Sequence, residues 1–532
     1  MARKSSALPR LSFSAVRTWA ERHARWIVIA FFGCTLLAGV SLHRQYGVPW
    51  DELYQQDYGR AVYDYVFLGD KGLLDHHEKY HGPVVEFALT AAKRATNLLD
   101  ARDVHFLRHL GTFLLFWTGT VFLYLLGRLL FKDWKPALLT AALLILSPRI
   151  VTDAFYNTKD IPLMALFTMS MYTLMRFIDK KTPSRAAAHA LACALVIDTR
   201  IVGVFVPVLT LLWLLYDLVR ERKHEGLIRP LGLLCGWLAG MVFLTILFWP
   251  MLWLDPVGQF VAAFERMGKY PWGQDVFYLG EYVSSSELPW HYLPVWIAVT
   301  TPVLYTAFFL WGSAMVLWAA VRRPLRSLRE MRAEITVLLW FFVPVIAVIV
   351  GKSVVYDGWR HVFFIYPALL LLAVLGLRSA ASRLGRILGD ARLAASLLGT
   401  VVAISCAGTV SFLIRNHPYG NLYFSWLTGG VAGADGRFEL DYWGLSYRKA
   451  IEMLLQTDKS ERIAISVEND PGRLNAEALA EKDRARVELA DRNKATYHLT
   501  NHRWHYAERA AKSPIVSVRV DGVEILGVYR LR

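Results

Sequence analysis

Apolar residues along the chain gather into long runs separated by charged intervals. The runs fall at 26–42, 107–131, 137–151, 160–178, 186–199, 201–219, 229–250, 294–319, 334–351, 361–378 and 393–414. Most are roughly 17–25 residues long, the length of helix that crosses a hydrocarbon core of about 30 Å. The pattern predicts a polytopic α-helical membrane protein with about eleven transmembrane helices. The runs at 137–151 and 186–199 are short, as in broken or partly inserted helices that line a cavity.

Two of the polar intervals are long, 43–106 and 251–293, and both are dense in Trp and Tyr. Aromatic side chains at that density suit a membrane interface, or a surface that faces sugar or lipid. From 415 onward the apolar runs stop. Helical periodicity is expected over Ser446 to Gln456 and Arg473 to Lys482. Strands are expected over Arg462 to Val467, Arg486 to Leu489, Ala495 to Leu499, Ile515 to Val520 and Val523 to Arg530. Asp521-Gly522 between the last two alternating runs is a hairpin signal. The expected organisation is therefore a membrane domain, 1–414, with outer loops 43–106 and 251–293, followed by a small soluble α+β domain, 415–532.

Composition fits this picture. Of 532 residues, 55% are hydrophobic, 13% aromatic and only 19% charged, too few charges for an ordinary soluble chain of this size. The net charge of +15 raises nucleic-acid binding, but its placement argues for membrane orientation instead. Lys and Arg cluster between alternate runs: Arg22 and Arg25, Arg128 and Lys132, Lys180 and Lys181, Arg220, Arg222 and Lys223, Arg322 to Arg332, and Arg378 to Arg392. That asymmetry places the N-terminus in the cytoplasm and the segment after the last run outside. The first run lacks a small-residue cleavage site and is read as an uncleaved span. The four cysteines lie inside apolar runs and offer neither a disulfide framework nor a metal spacing. His76, His77 and His81 lack a third-ligand pattern and precede the Gly82-Pro83 break, so no metal is expected there.

Ionisable residues collect at the outer ends of the runs and avoid their centres: Asp51 and Glu52, Asp153, Lys159 and Asp160, Asp198 and Arg200, Asp357, Arg360 and His361. An ion-coupled transporter places such groups near the midplane; an enzyme working at the lipid–water boundary places them here. Arg200 and Arg360 have the right depth and fork geometry for a lipid phosphate. Asp51, then Asp160, are candidates for a general base acting on an acceptor hydroxyl. Walker loops and Ser-His-Asp patterns are missing, so no bound nucleotide is expected to drive the reaction.

The Asp51-Glu52 pair in a first outer loop resembles the acidic motif of type C membrane glycosyltransferases, within the protein O-mannosyltransferase and aminoarabinose-transferase superfamily and its bacterial relatives. The segments Asn157 to Pro162, Asp198 to Gly203, and Tyr356 to His361 followed by Tyr366-Pro367 are similar to other family segments, and the resemblance spans most of 20–415. It implies transfer of a sugar from a polyprenyl-phosphate carrier to a glycan, lipid or protein acceptor outside the cytoplasm of a bacterial inner membrane. It implies Asp51, Glu52 and Asp160 as catalytic residues, and Arg200, Arg360, His361, Tyr356 and Lys159 as contacts to the lipid phosphate or substrate. No cofactor, metal or nucleic-acid partner is implied. The chain departs from the sugar-binding repeat domain of the eukaryotic mannosyltransferases, and the Arg437 to Gly444 segment resembles only bacterial relatives. A transporter or flippase of a lipid-linked glycan is the alternative, and a non-catalytic scaffold for the C-terminal domain a third reading.

Overall fold

The computed structural model describes residues 13–221, 228–268, 270–506, 509 and 513–531; Arg222 and Lys223 lie outside them. Among the described residues, nine helices are long and apolar enough to cross a membrane: Ala24–Leu42, Ala101–Phe131, Asp160–Asp179, Ile201–Arg220, Pro230–Phe248, Val303–Arg322, Arg332–Val350, Arg360–Leu388 and Ala391–Arg415. The chain is an integral membrane protein. Two shorter apolar helices, Trp134–Ile145 and Pro183–Ile197, match the two short runs. At 12 and 15 residues each extends only about 18–22 Å, less than a hydrocarbon core.

The helix breaks deliver polar residues to one end of the bundle. Trp134–Ile145 stops before Ser147-Pro148, and the short Pro148–Asp153 helix that follows ends at Asp153. Pro183–Ile197 is followed by Asp198-Thr199-Arg200 before the chain resumes at Ile201. The run expected at 294–319 is divided into Tyr292–Thr300 and Val303–Arg322 at Pro302, which has no N–H to continue the ladder. Burial sorts the spans by position. Arg360–Leu388 has 78% of its apolar window buried and is the central helix, whereas Ala24–Leu42 and Ala391–Arg415 have 11% each. These last two present their apolar faces to the surroundings, as lipid-facing helices do. The central helix packs very closely on Val303–Arg322: a Cβ on Gly312 would lie 2.1 Å from the Leu372 carbonyl oxygen, and one on Gly376 2.0 Å from that of Phe308. Any larger residue would force these backbones apart.

The 43–106 interval folds into helices Glu52–Leu68 and Val84–Thr96. In 251–293 the structure adds an antiparallel hairpin, Asp275–Tyr278 with Glu281–Ser284. Its turn, Leu279-Gly280, has both residues at positive φ, but lacks the Asn or Asp that marks such turns in a sequence, so the pattern read only as aromatic loop.

The C-terminal region carries a five-stranded sheet in the order Val487–Leu489, Ile463–Val467, Tyr497–Thr500, Val523–Arg530, Val516–Val520. The first three strands are parallel and the last two antiparallel. Helix Ser446–Thr457 forms as expected. The second helix runs over Asp470–Glu477, with Glu481–Arg484 separate from it. Asp521-Gly522 is the hairpin turn, both residues at positive φ.

Candidate active site

The site is built from residues 44–51 outward. This segment is clamped from the C-terminal region: the Asn475 amide accepts from the Val48 N–H and donates to the Val48 carbonyl, both at 2.9 Å. Arg448 donates to the carbonyls of Arg44 and Tyr46 at 2.8 and 3.0 Å. The clamp fixes Trp50 and Asp51 at the head of the Glu52–Leu68 helix.

Asp51 is partly exposed, at 24%, and meets two cations. Arg360 Nη1 lies 3.2 Å from its carboxylate and Lys159 Nζ 3.8 Å. Arg360 is itself 2% exposed and serves three carboxylates: Asp51, Asp160 and Asp357, each at 3.2 Å. Asp160 is fully buried, accepts from Asn157 Nδ2 at 3.0 Å, and pairs with Arg200 at 3.0 Å. Lys159 also reaches Glu78 at 3.6 Å, and Glu78 takes His81 at 2.8 Å and the Tyr270 hydroxyl at 3.2 Å. The Arg360 guanidinium lies over the Tyr356 and Trp443 rings at 5.0 and 4.8 Å, and His361 packs edge-on against Tyr356.

Asp51, Lys159, Asp160, Arg200, Tyr356, Arg360 and His361 thus converge, although they come from four separate stretches. Gly82 is one reason. A Cβ there would sit 2.0 Å from the Asp198 carbonyl oxygen, so only glycine lets the His81-Gly82 loop press against the Asp198-to-Arg200 turn. The Val84 N–H closes that contact on Asp198 O at 3.2 Å.

The electrostatics divide the acids. Burial disfavours the Asp51 anion, but Lys159 and Arg360 outweigh it and hold the carboxyl below the ordinary range. Glu78 is likewise held low against its burial, by Lys159 and His81. Asp198 goes the other way. It is fully buried, neither oxygen has a hydrogen-bond partner among the described residues, and burial pushes its pKa well up.

Glu52 does not join this cluster. One residue on from Asp51, the helix turns its side chain about 100° away, into a buried group with Arg108 and Glu86. Arg108 contacts Glu52 through Nε and Glu86 through Nη2, the latter at 2.7 Å, while His105 Nδ1 lies 3.5 Å from Glu52. Burial raises both acids. Arg108 and His105 bring Glu52 down to about 2, whereas burial leaves Glu86 above its usual value. Glu52→Ala leaves Arg108 with one partner, a loss worth about 3–5 kcal/mol for a buried pair. The expected result is a lower melting temperature in detergent, with turnover per folded molecule retained.

Sequence reasoning passed over Arg503, Trp443, Trp272 and Tyr270, and assigned no role to Glu78. Arg503 comes from the C-terminal region, contacts Asp357, and lies 3.9 Å from Glu439. It follows the Tyr497–Thr500 strand by three residues, and nothing near it in sequence marks it. Glu78 was hidden in a histidine cluster that drew attention to metals. His76 pairs with Asp57 at 3.2 Å and His81 with Glu78, and among the described residues no group of three or more His, Cys, Asp or Glu could hold a metal ion.

Acids and cations are thus gathered at one end of a helical membrane bundle, in contact with the sheet-bearing C-terminal region. Residues 81–252 match the family model described as dolichyl-phosphate-mannose-protein mannosyltransferase. Among solved structures, the chain is similar to ArnT from Cupriavidus metallidurans bound to undecaprenyl phosphate, at 16% identity over 94% of this chain and 98% of that one, TM-score 0.49. It is also similar to the Archaeoglobus fulgidus oligosaccharyltransferase in the apo form, at 11% identity over 88% of this chain and 66% of that one, TM-score 0.46. No curated protein sequence matches the chain.

Proposed function

We propose that the chain transfers a sugar from a polyprenyl-phosphate carrier to an acceptor hydroxyl, with Asp51 as general base. The observation that carries this reading is a partly exposed carboxylate, Asp51, held ionised between Lys159 and Arg360. The mannosyltransferase family match over 81–252 supports the substrate class.

The chemistry follows from the geometry. Lys159 and Arg200, exposed by 14% and 16%, are the cations that an incoming phosphate reaches first. As the phosphate takes charge from Lys159, Asp51 regains basicity and accepts the proton of the acceptor hydroxyl. The hydroxyl oxygen bonds to the anomeric carbon while the bond from that carbon to the phosphate oxygen breaks. Polyprenyl phosphate leaves with the electron pair, stabilised by the same cations. A single displacement of this kind inverts the anomeric centre. Asp160, fully buried between Arg200 and Arg360, acts by positioning them. The activated donor is the phosphate ester itself, and the proposed reaction uses no cofactor.

In this reading the membrane is a bacterial inner membrane, the N-terminus is cytoplasmic, and residues 415–532 form an extracytoplasmic unit. Basic residues in the last turns of helices, at Arg128, Arg176, Arg220 and Arg322, support that orientation.

A pH profile tests the base. Because the folded state lowers the Asp51 pKa, its ionised contribution persists below the ordinary carboxylate range and is lost as pH falls through the folded value. The acid limb of kcat/KM, which reports the free enzyme, should therefore lie below that range. Lys159→Met removes a lowering charge and should move the limb to higher pH. An unmoved limb separates Asp51 from the rate.

A further inference from the structure

An open cleft of about 500 Å³, lined by Gly273, Gln274, Asp275, Tyr282 and Trp504, lies between the Asp275–Ser284 hairpin and the C-terminal region. The cleft is a shallow groove open to solvent, against which a ligand would lie. Among the described residues, the lining offers ring faces, one amide and one carboxylate, with no aliphatic side chain and no cation.

Both walls lead back to the reaction centre. Trp504 packs edge-on against Trp50, ring centroids 5.8 Å apart, and Trp50 directly precedes Asp51. The Arg503 guanidinium lies over both rings, at 5.6 and 4.9 Å, and the same group holds Asp357, a carboxylate of the Arg360 cluster. On the other side Trp272, next to Gly273, stacks on Tyr356 at 4.1 Å and 12°. Tyr356 faces Arg360, which touches Asp51.

We propose that this cleft is the acceptor subsite and that it takes a neutral saccharide, so the transferred sugar is added to a glycan. The proposal rests on the transferase reading for what happens at Asp51, and adds the acceptor class. A sugar ring presents an apolar face of C–H groups and a rim of hydroxyls. Flat faces of Trp504 and Tyr282 match the first; the amide of Gln274 and the carboxylate of Asp275 match the second, the carboxylate as an acceptor of hydroxyl hydrogens. Asp275 also disfavours the donor here, because a carboxylate repels a phosphate. A peptide acceptor would call for apolar pockets for alternate side chains, and among the described residues the lining has none.

The test is saturation-transfer NMR on the purified full-length protein in nanodiscs. The probes are trisaccharides of glucose, mannose, galactose and N-acetylglucosamine, and a Ser/Thr-rich peptide. At least one trisaccharide should receive saturation at its ring C–H protons. That signal should fall about tenfold, the loss of one good contact, in Trp504→Ala and in Gln274→Ala, and should persist in Asp51→Asn. Gln274 is exposed, so its variant keeps the test valid if Trp504→Ala misfolds. Saturation of the peptide and of no saccharide overturns the proposal, as does a saccharide signal that neither variant weakens. Consumption of a polyprenyl-phosphate sugar, measured on the same samples, tests the transferase reading by itself. A protein that binds saccharide here but consumes no donor loses that reading and keeps the site.

Discussion

Asp51→Asn is expected to lower sugar transfer by about 10²–10⁴-fold, the usual contribution of a positioned general base, with little change in folding or donor affinity. The amide keeps the shape of the carboxylate but cannot take a proton from the acceptor. Arg360 retains Asp160 and Asp357 as partners, so the cluster survives the loss of one charge. Asp51→Glu restores the base on a longer arm and should recover part of the rate. Turnover of reconstituted protein alongside its melting temperature checks both. A stable Asp51→Asn protein working at the parent rate removes Asp51 from the reaction.

Arg360→Leu is expected to be the most damaging single change to the fold of the site. It leaves Asp51, Asp160 and Asp357 facing one another at 3.2 Å from where the guanidinium stood, two of them buried. Breaking a buried ion pair from one side costs about 3–5 kcal/mol, and here three acids lose their shared cation. Arg200 still offsets Asp160, and Arg503 still offsets Asp357. The expected result is a large fall in melting temperature together with lost activity. Adding Asp160→Asn should recover part of the stability and none of the activity, since one repelling charge is gone while the site stays unassembled. If the single variant melts as the parent does, the cluster is not holding these elements together.

Legibility in the sequence follows what each signal depends on. Spans were legible because crossing a hydrocarbon core demands length and apolarity, properties of single stretches, and the two runs that looked short are short. Their significance was legible only in outline. The breaks at Ser147-Pro148 and Asp198-Thr199-Arg200 are visible in sequence, but that they carry polar residues to one end of the bundle is a matter of packing. Asp51, Lys159, Asp160, Arg200, Arg360 and His361 stood out because ionisable residues at span ends are conspicuous against an apolar background, whereas Tyr356 came from the family resemblance.

Glu52 shared that background and was grouped with Asp51. Only helical geometry, one residue and about 100° later, turns it toward Arg108. Arg503 had no such contrast. It sits in a polar region where an arginine is ordinary, and its contact to Asp357 joins residues 146 positions apart. The hairpin at 275–284 was missed for a local reason, a Leu-Gly turn in place of Asn-Gly.

The central claim is that the cluster around Asp51 breaks the bond between a sugar and its lipid phosphate. The most direct measurement is mass spectrometry of proteoliposomes holding the purified protein, a polyprenyl-phosphate sugar and an envelope glycan. The prediction is free polyprenyl phosphate and a glycan one sugar heavier, both dependent on Asp51. Donor recovered intact on the opposite leaflet, with no phosphate released, would contradict the account and make the protein a carrier of lipid-linked sugar.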